Sequence, residues 1–189
     1  MQWHNEPASW QRTAGVLRAD AEPGTDFWRI TGYGYTRDSG HLYGQVAAGD
    51  VDVSAVVRGR FRGQYDQAGL MLRADERVWL KSGIECVDGR PRLSTVVTVG
   101  FSSWMMAALP EGAAEEGLRL RLSRRGEAVE IRYETAGRAP ALAALVYLPP
   151  DREMLAGVMC AAPESGGFAV AFHDIKVLVA DRAEALEQP

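Results

Sequence analysis

The stretch YDQAGLMLRADERVWLKSGIECVDGRPRLSTVVTVG, residues 65–100, decides the fold class of this chain. Aliphatic and polar side chains alternate along most of it, which is typical of β-strands with one buried face. Asp88-Gly89 is a strong signal for a two-residue hairpin turn, and residues 74–78 form a second loop. The stretch therefore predicts three consecutive antiparallel strands, at Tyr65–Arg73, Val78–Val87 and Arg92–Val99.

The two turns also predict how these strands pair. The loop places Arg73 opposite Trp79, and the hairpin turn places Glu85 opposite Arg92. Aliphatic side chains then meet on one face of all three strands, and a slip of one residue would move them to the other face. We therefore expect this register, with the following residues directed at the core: Leu80, Ile84, Leu93 and Val97.

The opposite face collects polar and aromatic side chains, and it predicts a ligand groove. Its open floor would lie at the paired glycines Gly69 and Gly83, and Arg73 would stack on Trp79 as a cation–π pair. Hydrogen-bonding groups beside an indole suit a saccharide or another small polar ligand. Trp104, in an exposed loop after the third strand, would be a rim aromatic. The candidate ligand-binding residues are Gln67, Arg73, Trp79, Lys81, Glu85, Ser94 and Trp104.

A second interpretation of this face stays open. One face of an antiparallel sheet is often simply solvated, and a cross-strand Arg–Glu pair there contributes only a few tenths of a kcal/mol. A cavity on the face would favour a ligand, whereas the ligand-groove interpretation fails if loops pack the face shut. Four other aromatic residues fit either one end of a groove or the core: Trp28, Tyr33, Tyr35 and Tyr43.

Strand patterns continue on both sides of the meander, broken by Gly, Pro and Asp. They lie at 27–31, 41–46, 51–61, 118–123, 128–134, 142–148, 155–160 and 168–179, and helical turns are expected only at 111–116 and 183–187. Many short strands and few helices predict an all-β sandwich or barrel. We expect one domain over residues 1–180, followed by a tail at 181–189.

Length and charge restrict the class of function. The chain has 189 residues and a formal net charge of −4, without the basic patch that a nucleic-acid-binding surface needs. It has no apolar run of about 18 residues, and residues 1–13 lack the pattern of a secretory signal. Cys86 and Cys160 are expected to be reduced thiols, so we expect a cytoplasmic protein that binds neither nucleic acid nor membrane.

The groove lacks a recognisable catalytic pattern. A glycosidase uses two carboxylates that face the sugar together. Asp88, three residues after Glu85, lies in the turn and is directed to the other face. Lys81 and Glu85 are therefore interpreted as an ion pair or as hydrogen-bonding groups for a sugar. No cofactor is implied, and the protein is more simply a binding protein than an enzyme.

No metal site is expected either. The histidines His4, His41 and His173 are far apart in sequence and lack the spacing of a zinc site, although His41 follows closely after Asp38. A calcium loop needs clustered Asp and Asn, and Asn5 is the single asparagine.

Seven motifs resemble, in order, one family of uncharacterised proteins with a concanavalin A-like fold, which is linked by similarity to a regulator of enolase. The motifs are WHNEP, TDFWR, YGYTRDSGH, YDQAGLMLR, WLKSGIECVDG, RLSTVVT and GGFAVAFHDIKV, between Trp3 and Val179. The resemblance implies a jelly-roll sandwich of two antiparallel sheets, as in legume lectins and β-glucanases. The family usually has S-D-W-S where this chain has S-S-W-M at 102–105, so that carboxylate has no counterpart here.

Three functions are consistent with these observations. The first is binding of a small polar, carbohydrate-like ligand on a concave face, without catalysis. The second is a regulatory or protein-interaction module of carbohydrate metabolism, which predicts a flat apolar patch and a possible homodimer. The third is a sugar-acting enzyme, in which Glu85→Gln would abolish turnover.

Overall fold

The meander of residues 65–100 lies at the centre of a seven-stranded sheet. The computed structural model of the chain describes residues 1–179, so the predicted helical turn at 183–187 and the tail at 181–189 lie outside the described residues. The strands are β1 Gln2–His4, β2 Trp10–Thr13, β3 Val16–Ala21, β4 Phe27–Arg29, β5 Thr36–Asp38, β6 His41–Ala47, β7 Val51–Gly59, β8 Gln67–Asp75, β9 Val78–Val87, β10 Arg90–Val99, β11 Phe101–Ala108, β12 Leu118–Arg125, β13 Ala128–Glu134, β14 Ala141–Tyr147, β15 Met154–Ala161 and β16 Phe168–Val179. A single helical turn, α1, spans Ala113–Glu116.

Two large antiparallel sheets pack face to face and confirm the predicted jelly-roll sandwich. One sheet has the strand order β1-β6-β15-β8-β9-β10-β11, and the other has the order β14-β13-β12-β7-β16-β3-β2. Neighbouring strands in each sheet are often distant in sequence, as β15 beside β8 shows. The short hairpin β4–β5 belongs to neither large sheet.

The pairing of the meander agrees with the register predicted from its turns. Arg73 pairs with Trp79 and Glu85 pairs with Arg92. Gly69 faces Gly83, and the two strands approach so closely there that a Cβ added at Gly83 would lie 2.2 Å from the Ala68 carbonyl oxygen. The glycines therefore permit close contact between the strands.

Aliphatic side chains between the two sheets form the main core. Leu80 and Ile84 of β9 lie in one buried cluster with Leu120 and Leu122 of β12. Each fully buried side chain of this size contributes roughly 1.5–3 kcal/mol relative to an exposed one. This core positions the polar side chains of β8, β9 and β10 on the outer face of their sheet.

The sequence did not predict the strands β1, β2, β3, β5 and β11. The first two have only three and four residues, and the burial of β3 comes from its partner β16. β11 follows a one-residue turn at Gly100, whose φ of 78° lets the chain reverse directly after β10. Trp104 therefore lies on a strand and not in a loop, and its side chain is half-buried on the outer face of the sheet beside Val96.

Candidate functional site

The hairpin β4–β5 covers much of this outer face, so the open floor expected at Gly69 and Gly83 is not present. Phe27 of β4 packs on Trp79 of β9, with ring centroids 6.2 Å apart, and both side chains have 0% exposure. They belong to a second buried cluster that contains Phe27, Trp28, Leu42, Met71, Trp79, Val96, Met159 and Ala161. Trp79 thus packs inside the protein and is not available to a ligand.

Lys81 holds the covering hairpin in place. Its Nζ donates to the Phe27 carbonyl oxygen at 2.8 Å, to Oε1 of Gln67 and to Oδ1 of Asp26 at 3.5 Å. A lysine has three N–H groups, and all three have acceptors here. The predicted partner Glu85 is therefore not the direct partner of Lys81, and Asp26, which precedes β4, takes that place.

Gln67 is also satisfied by the protein itself. Its Nε2 lies 3.2 Å from Oδ1 of Asp26 and 3.2 Å from the carbonyl oxygen of Tyr65, while its Oε1 accepts from Lys81. The Phe27 N–H donates to the same Oδ1 at 2.8 Å. Gln67 and Lys81 therefore bind the start of β4 to the sheet.

Glu85 has a different environment. Its Oε2 accepts from the Ser94 hydroxyl and, at 3.1 Å, from Nε1 of Trp104, which also lies 2.9 Å from the Ser94 oxygen. Burial raises the pKa of the Glu85 carboxyl, although the charge of Lys81 and the bond from Ser94 act in the opposite direction. The structure thus brings together three of the predicted site residues.

Arg73 lies away from this group. Its guanidinium forms a two-pronged pair with Asp38 of β5, with Nε 3.0 Å from Oδ1. Burial alone would raise the pKa of Asp38, but the nearby His4 and the guanidinium of Arg73 outweigh it and hold that pKa below its ordinary value. The predicted stacking of Arg73 on Trp79 is wrong, because the cation over that ring is Lys81, with Nζ 5.7 Å from the centroid.

A narrow cleft remains at one end of the covered face. Its volume is about 20 Å³, and it is lined by Asp26, Trp28, Tyr33, Tyr35, Tyr65, Gln67, Lys81, Glu85 and Trp104. Trp28 contacts Trp104 edge-on at 6.2 Å and Tyr33 at 5.4 Å, and Tyr65 contacts Trp104 at 6.1 Å. Five aromatic rings therefore surround a buried polar floor.

Sequence reasoning missed Asp26 and Tyr65 as lining residues. The TDFWR motif contained the signal for Asp26, because it places a carboxylate directly before two bulky aromatic residues. Tyr65 has a φ of 62°, an uncommon backbone conformation that the sequence does not reveal. Tyr43, in contrast, packs with Trp3 and Trp10 outside the cleft.

Residues 30–35 form the outer wall of the cleft. Tyr33 and Tyr35 are stacked at 5.7 Å and are 51% and 40% exposed. The turn is closed by hydrogen bonds from the Ile30 N–H to the Tyr35 carbonyl (2.7 Å) and from the Gly34 N–H to the Ile30 carbonyl (2.6 Å). Ile30 has a φ of 67°, which is strained for a β-branched residue.

Wider depressions lie elsewhere on the surface but lack comparable chemistry. One of about 530 Å³ lies between the β9–β10 turn and α1, beside Arg90 and Glu111. Its charged side chains are not buried. The small cleft at Glu85 is therefore the better candidate site, because buried ionisable groups and aromatic rings converge there.

The described residues contain no cluster of three or more His, Cys, Asp or Glu side chains that would hold a metal ion. His41 is buried, with Nδ1 2.7 Å from the Asn5 carbonyl oxygen and Nε2 accepting from the Glu22 N–H at 3.1 Å. The histidine near Asp38 is His4, whose Nε2 lies 3.7 Å from Oδ1. Within residues 1–179, no helix has the length and apolar character needed to cross a membrane.

Comparison with known proteins yields a family and close relatives. Residues 3–179 match a family model described as a protein of unknown function, DUF1349. Regulation of enolase protein 1 of Saccharomyces cerevisiae is 37% identical over 172 residues, which cover 91% of this chain and 86% of the relative. A crystal structure of a functionally unknown protein from Saccharomyces cerevisiae superposes with a TM-score of 0.88 at 36% identity, covering 95% of this chain and 96% of the other.

A more distant structure shares the fold. The carbohydrate binding module CBM66 from Bacillus subtilis superposes with a TM-score of 0.61 at 12% identity, covering 93% of this chain and 94% of the module. At this identity, the likeness concerns the architecture of the sandwich alone.

Proposed function

This chain belongs to the DUF1349 family, and we propose that it binds a small polar, carbohydrate-like ligand at the aromatic cleft, without catalysis. The observation that carries the proposal is the convergence of five aromatic rings on the buried side chains of Asp26 and Glu85. Flat rings stack on the apolar faces of sugar rings, and buried acceptors bind hydroxyl groups. The carbohydrate binding module of the same fold adds a supporting analogy.

The ligand needs more room than the narrow cleft offers. A volume of about 20 Å³ holds about one water molecule, whereas small-molecule pockets typically have roughly 300–1,000 Å³. The exposed turn 30–35 is the part of the wall that would move outward, because Gly32 and Gly34 flank Tyr33 with φ values of 74° and 75°. The proposal therefore includes displacement of Tyr33 and Tyr35 on binding.

Binding without catalysis is supported by how the two carboxylates are held. Asp26 is paired with Lys81, and its Oδ1 is already occupied by donors from Phe27 and Gln67. Glu85 has one oxygen occupied by Ser94 and Trp104. A cytoplasmic location is part of the proposal and is supported by the free thiols of Cys86 and Cys160.

A glycan array with the purified chain tests the proposal. We expect binding to at least one saccharide class, and Trp104→Ala should weaken it about tenfold because it removes a stacking surface and the N–H to Glu85. Tyr147→Ala, an exposed tyrosine of β14 outside the cleft, is the matched control and should bind normally. Absence of binding to every saccharide, or unchanged binding by Trp104→Ala, would contradict the proposal.

A second candidate function is an interaction module of carbohydrate metabolism that acts as a homodimer. It is favoured by the edge strand β11, which exposes Phe101, Met105 and Met106 and contains no charged residue. An unprotected, uncharged edge strand is suited to pairing with the same strand of a second copy. The name of the yeast relative, Regulation of enolase protein 1, is compatible with a regulatory role.

Light scattering after size exclusion tests this candidate. We expect twice the 20.6 kDa mass of one chain, and Met106→Lys should shift it to the monomer. Val46→Lys, an exposed apolar residue on β6, is the control and should leave the dimer intact. A monomeric wild-type protein would exclude this candidate.

A further inference from the structure

The donors on the floor of the cleft are already occupied by the protein. All three N–H groups of Lys81 have acceptors on Phe27, Gln67 and Asp26. Both N–H groups of the Gln67 amide are likewise directed at Asp26 and the Tyr65 carbonyl. A ligand would have to break one of these bonds to receive a hydrogen bond from either side chain.

The acceptors of the cleft are, in contrast, only half used. Glu85 accepts from Ser94 and Trp104 through Oε2, and Asp26 accepts through Oδ1. Among residues 1–179, no hydrogen bond reaches Glu85 Oε1 or Asp26 Oδ2, although both side chains are more than nine-tenths buried and line the cleft. The open positions on the floor are thus carboxylate oxygens.

The charges of the floor do not balance. Glu85 and Asp26 are 6% and 8% exposed, and among residues 1–179 the one buried cation beside them is Lys81, at 5% exposure. One ammonium cannot compensate two carboxylates, and a buried charge without a partner is strongly unfavourable. Burial accordingly raises the pKa of Glu85. A cation in the cleft would restore the balance.

The walls of the cleft favour a cation as well. The faces of Trp and Tyr rings carry partial negative charge and attract ammonium groups within about 6 Å. Five such rings line the cleft: Trp28, Tyr33, Tyr35, Tyr65 and Trp104. The same rings provide stacking surfaces for a sugar, so the two requirements do not compete.

We propose that the ligand is a saccharide bearing a protonated amine, an amino sugar, whose ammonium group lies between Glu85 and Asp26. This inference rests on the proposed function, because the ring that carries the amine is the saccharide proposed above. The ammonium donates hydrogen bonds to Oε1 of Glu85 and Oδ2 of Asp26, which are the acceptors left open. Neutral sugars lack this charge and leave the imbalance in place.

Calorimetric titration with a matched set of sugars tests the inference. Glucosamine, N-acetylglucosamine and glucose, and the corresponding galactose series, are titrated into the wild-type chain at about pH 6.5, where the amine is protonated. We expect the amino sugar of at least one series to bind at least about tenfold more tightly than its acetylated and hydroxyl counterparts. Glu85→Gln should reduce that preference to within about twofold.

Glu130→Gln is the matched control. It removes the same formal charge as Glu85→Gln, but Glu130 lies on the outer face of β13, far from the cleft. It should keep the full preference. If neutral sugars bind as tightly as the amino sugars, this inference is overturned and the proposed function stands. The same holds if Glu85→Gln keeps the preference for the amino sugar. Absence of binding by all six sugars would overturn both. If Glu85→Gln does not fold, the ratio of affinities for the wild-type chain still decides.

Discussion

The Nζ of Lys81 lies 3.5 Å from Oδ1 of Asp26, and this buried pair joins the centre of the sheet to the hairpin that covers it. Lys81 belongs to β9, whereas Asp26 directly precedes β4. The contact spans 55 positions in the chain and fixes the floor of the candidate cleft.

Removal of one member of this pair should be costly. Lys81→Met leaves the Asp26 carboxylate buried without its counter-ion, and we expect a loss of about 3–5 kcal/mol in the free energy of unfolding, measured with urea. Lys176→Met, at an exposed lysine of β16, is the control and should change stability by less than about 0.5 kcal/mol. The double variant Lys81→Met/Asp26→Leu should be less destabilised than the sum of its single variants. Strict additivity would show that the pair is not coupled.

The stability contributed by Glu85 should depend on pH. Because burial raises the pKa of Glu85 in the folded protein above the ordinary 4.5, the folded state binds more protons than the unfolded state above that pH. The stability that Glu85 contributes is therefore fully present below about pH 4.5, and it is lost as the pH rises through the pKa of Glu85 in the folded protein. Relative to Glu85→Gln, the wild-type chain should become progressively less stable over this interval in urea unfolding at a series of pH values. A difference that grows in favour of the wild type with rising pH would mean that the pKa is lowered.

Gly83→Ala should disrupt the pairing of β8 with β9. The new Cβ would lie 2.2 Å from the Ala68 carbonyl oxygen and 2.5 Å from Cα of Gly69, both of which are backbone atoms. We expect a loss of about 3 kcal/mol in urea unfolding. Gly166→Ala is the matched control, because a Cβ there meets no atom within 4 Å, and it should be neutral or slightly stabilising. Equal effects of the two substitutions would contradict the close approach.

Cys160 should be unreactive in the folded protein. Burial raises the pKa of its thiol to about 12, so the reactive thiolate is nearly absent at about pH 8. Cys86 is buried too, and burial raises the pKa of its thiol as well. We expect no rapid reaction with Ellman's reagent until urea unfolds the chain, after which two thiols should react. Fast labelling of one native thiol would show that this part of the core opens.

Register and face were predictable because they depend on local signals. The Asp88-Gly89 turn sets which residues of β9 and β10 are opposite each other, and the alternation of side chains sets which face is buried. The predicted neighbours Glu85 and Ser94 consequently lie together, as the structure confirms. Most of the longer strands of the sandwich were also predicted from their patterns, but β3 and β11 were missed although they have six and eight residues.

Tertiary contacts decided whether the polar face of the meander is exposed or covered. Whether a strand face is solvated, open to a ligand or covered depends on segments far away in sequence, and β4–β5 lies about forty residues before β8 and β9. Arg73 pairs with Asp38 and Lys81 pairs with Asp26, because the hairpin places both acids over this face: Asp38 ends β5, and Asp26 directly precedes β4.

The sequence patterns by themselves therefore determined an all-β sandwich or barrel, the pairing of its central meander and the polar character of one face. These follow from a period of two and from turn chemistry, which act over a few residues. Only the tertiary structure decided that Trp79 is core, that Lys81 and Gln67 hold the hairpin, and that Asp26 joins Glu85 in a small aromatic cleft. The physical reason is that a buried charge or ring contacts the groups that lie near it in space. Groups far apart in the chain become neighbours only in the complete fold.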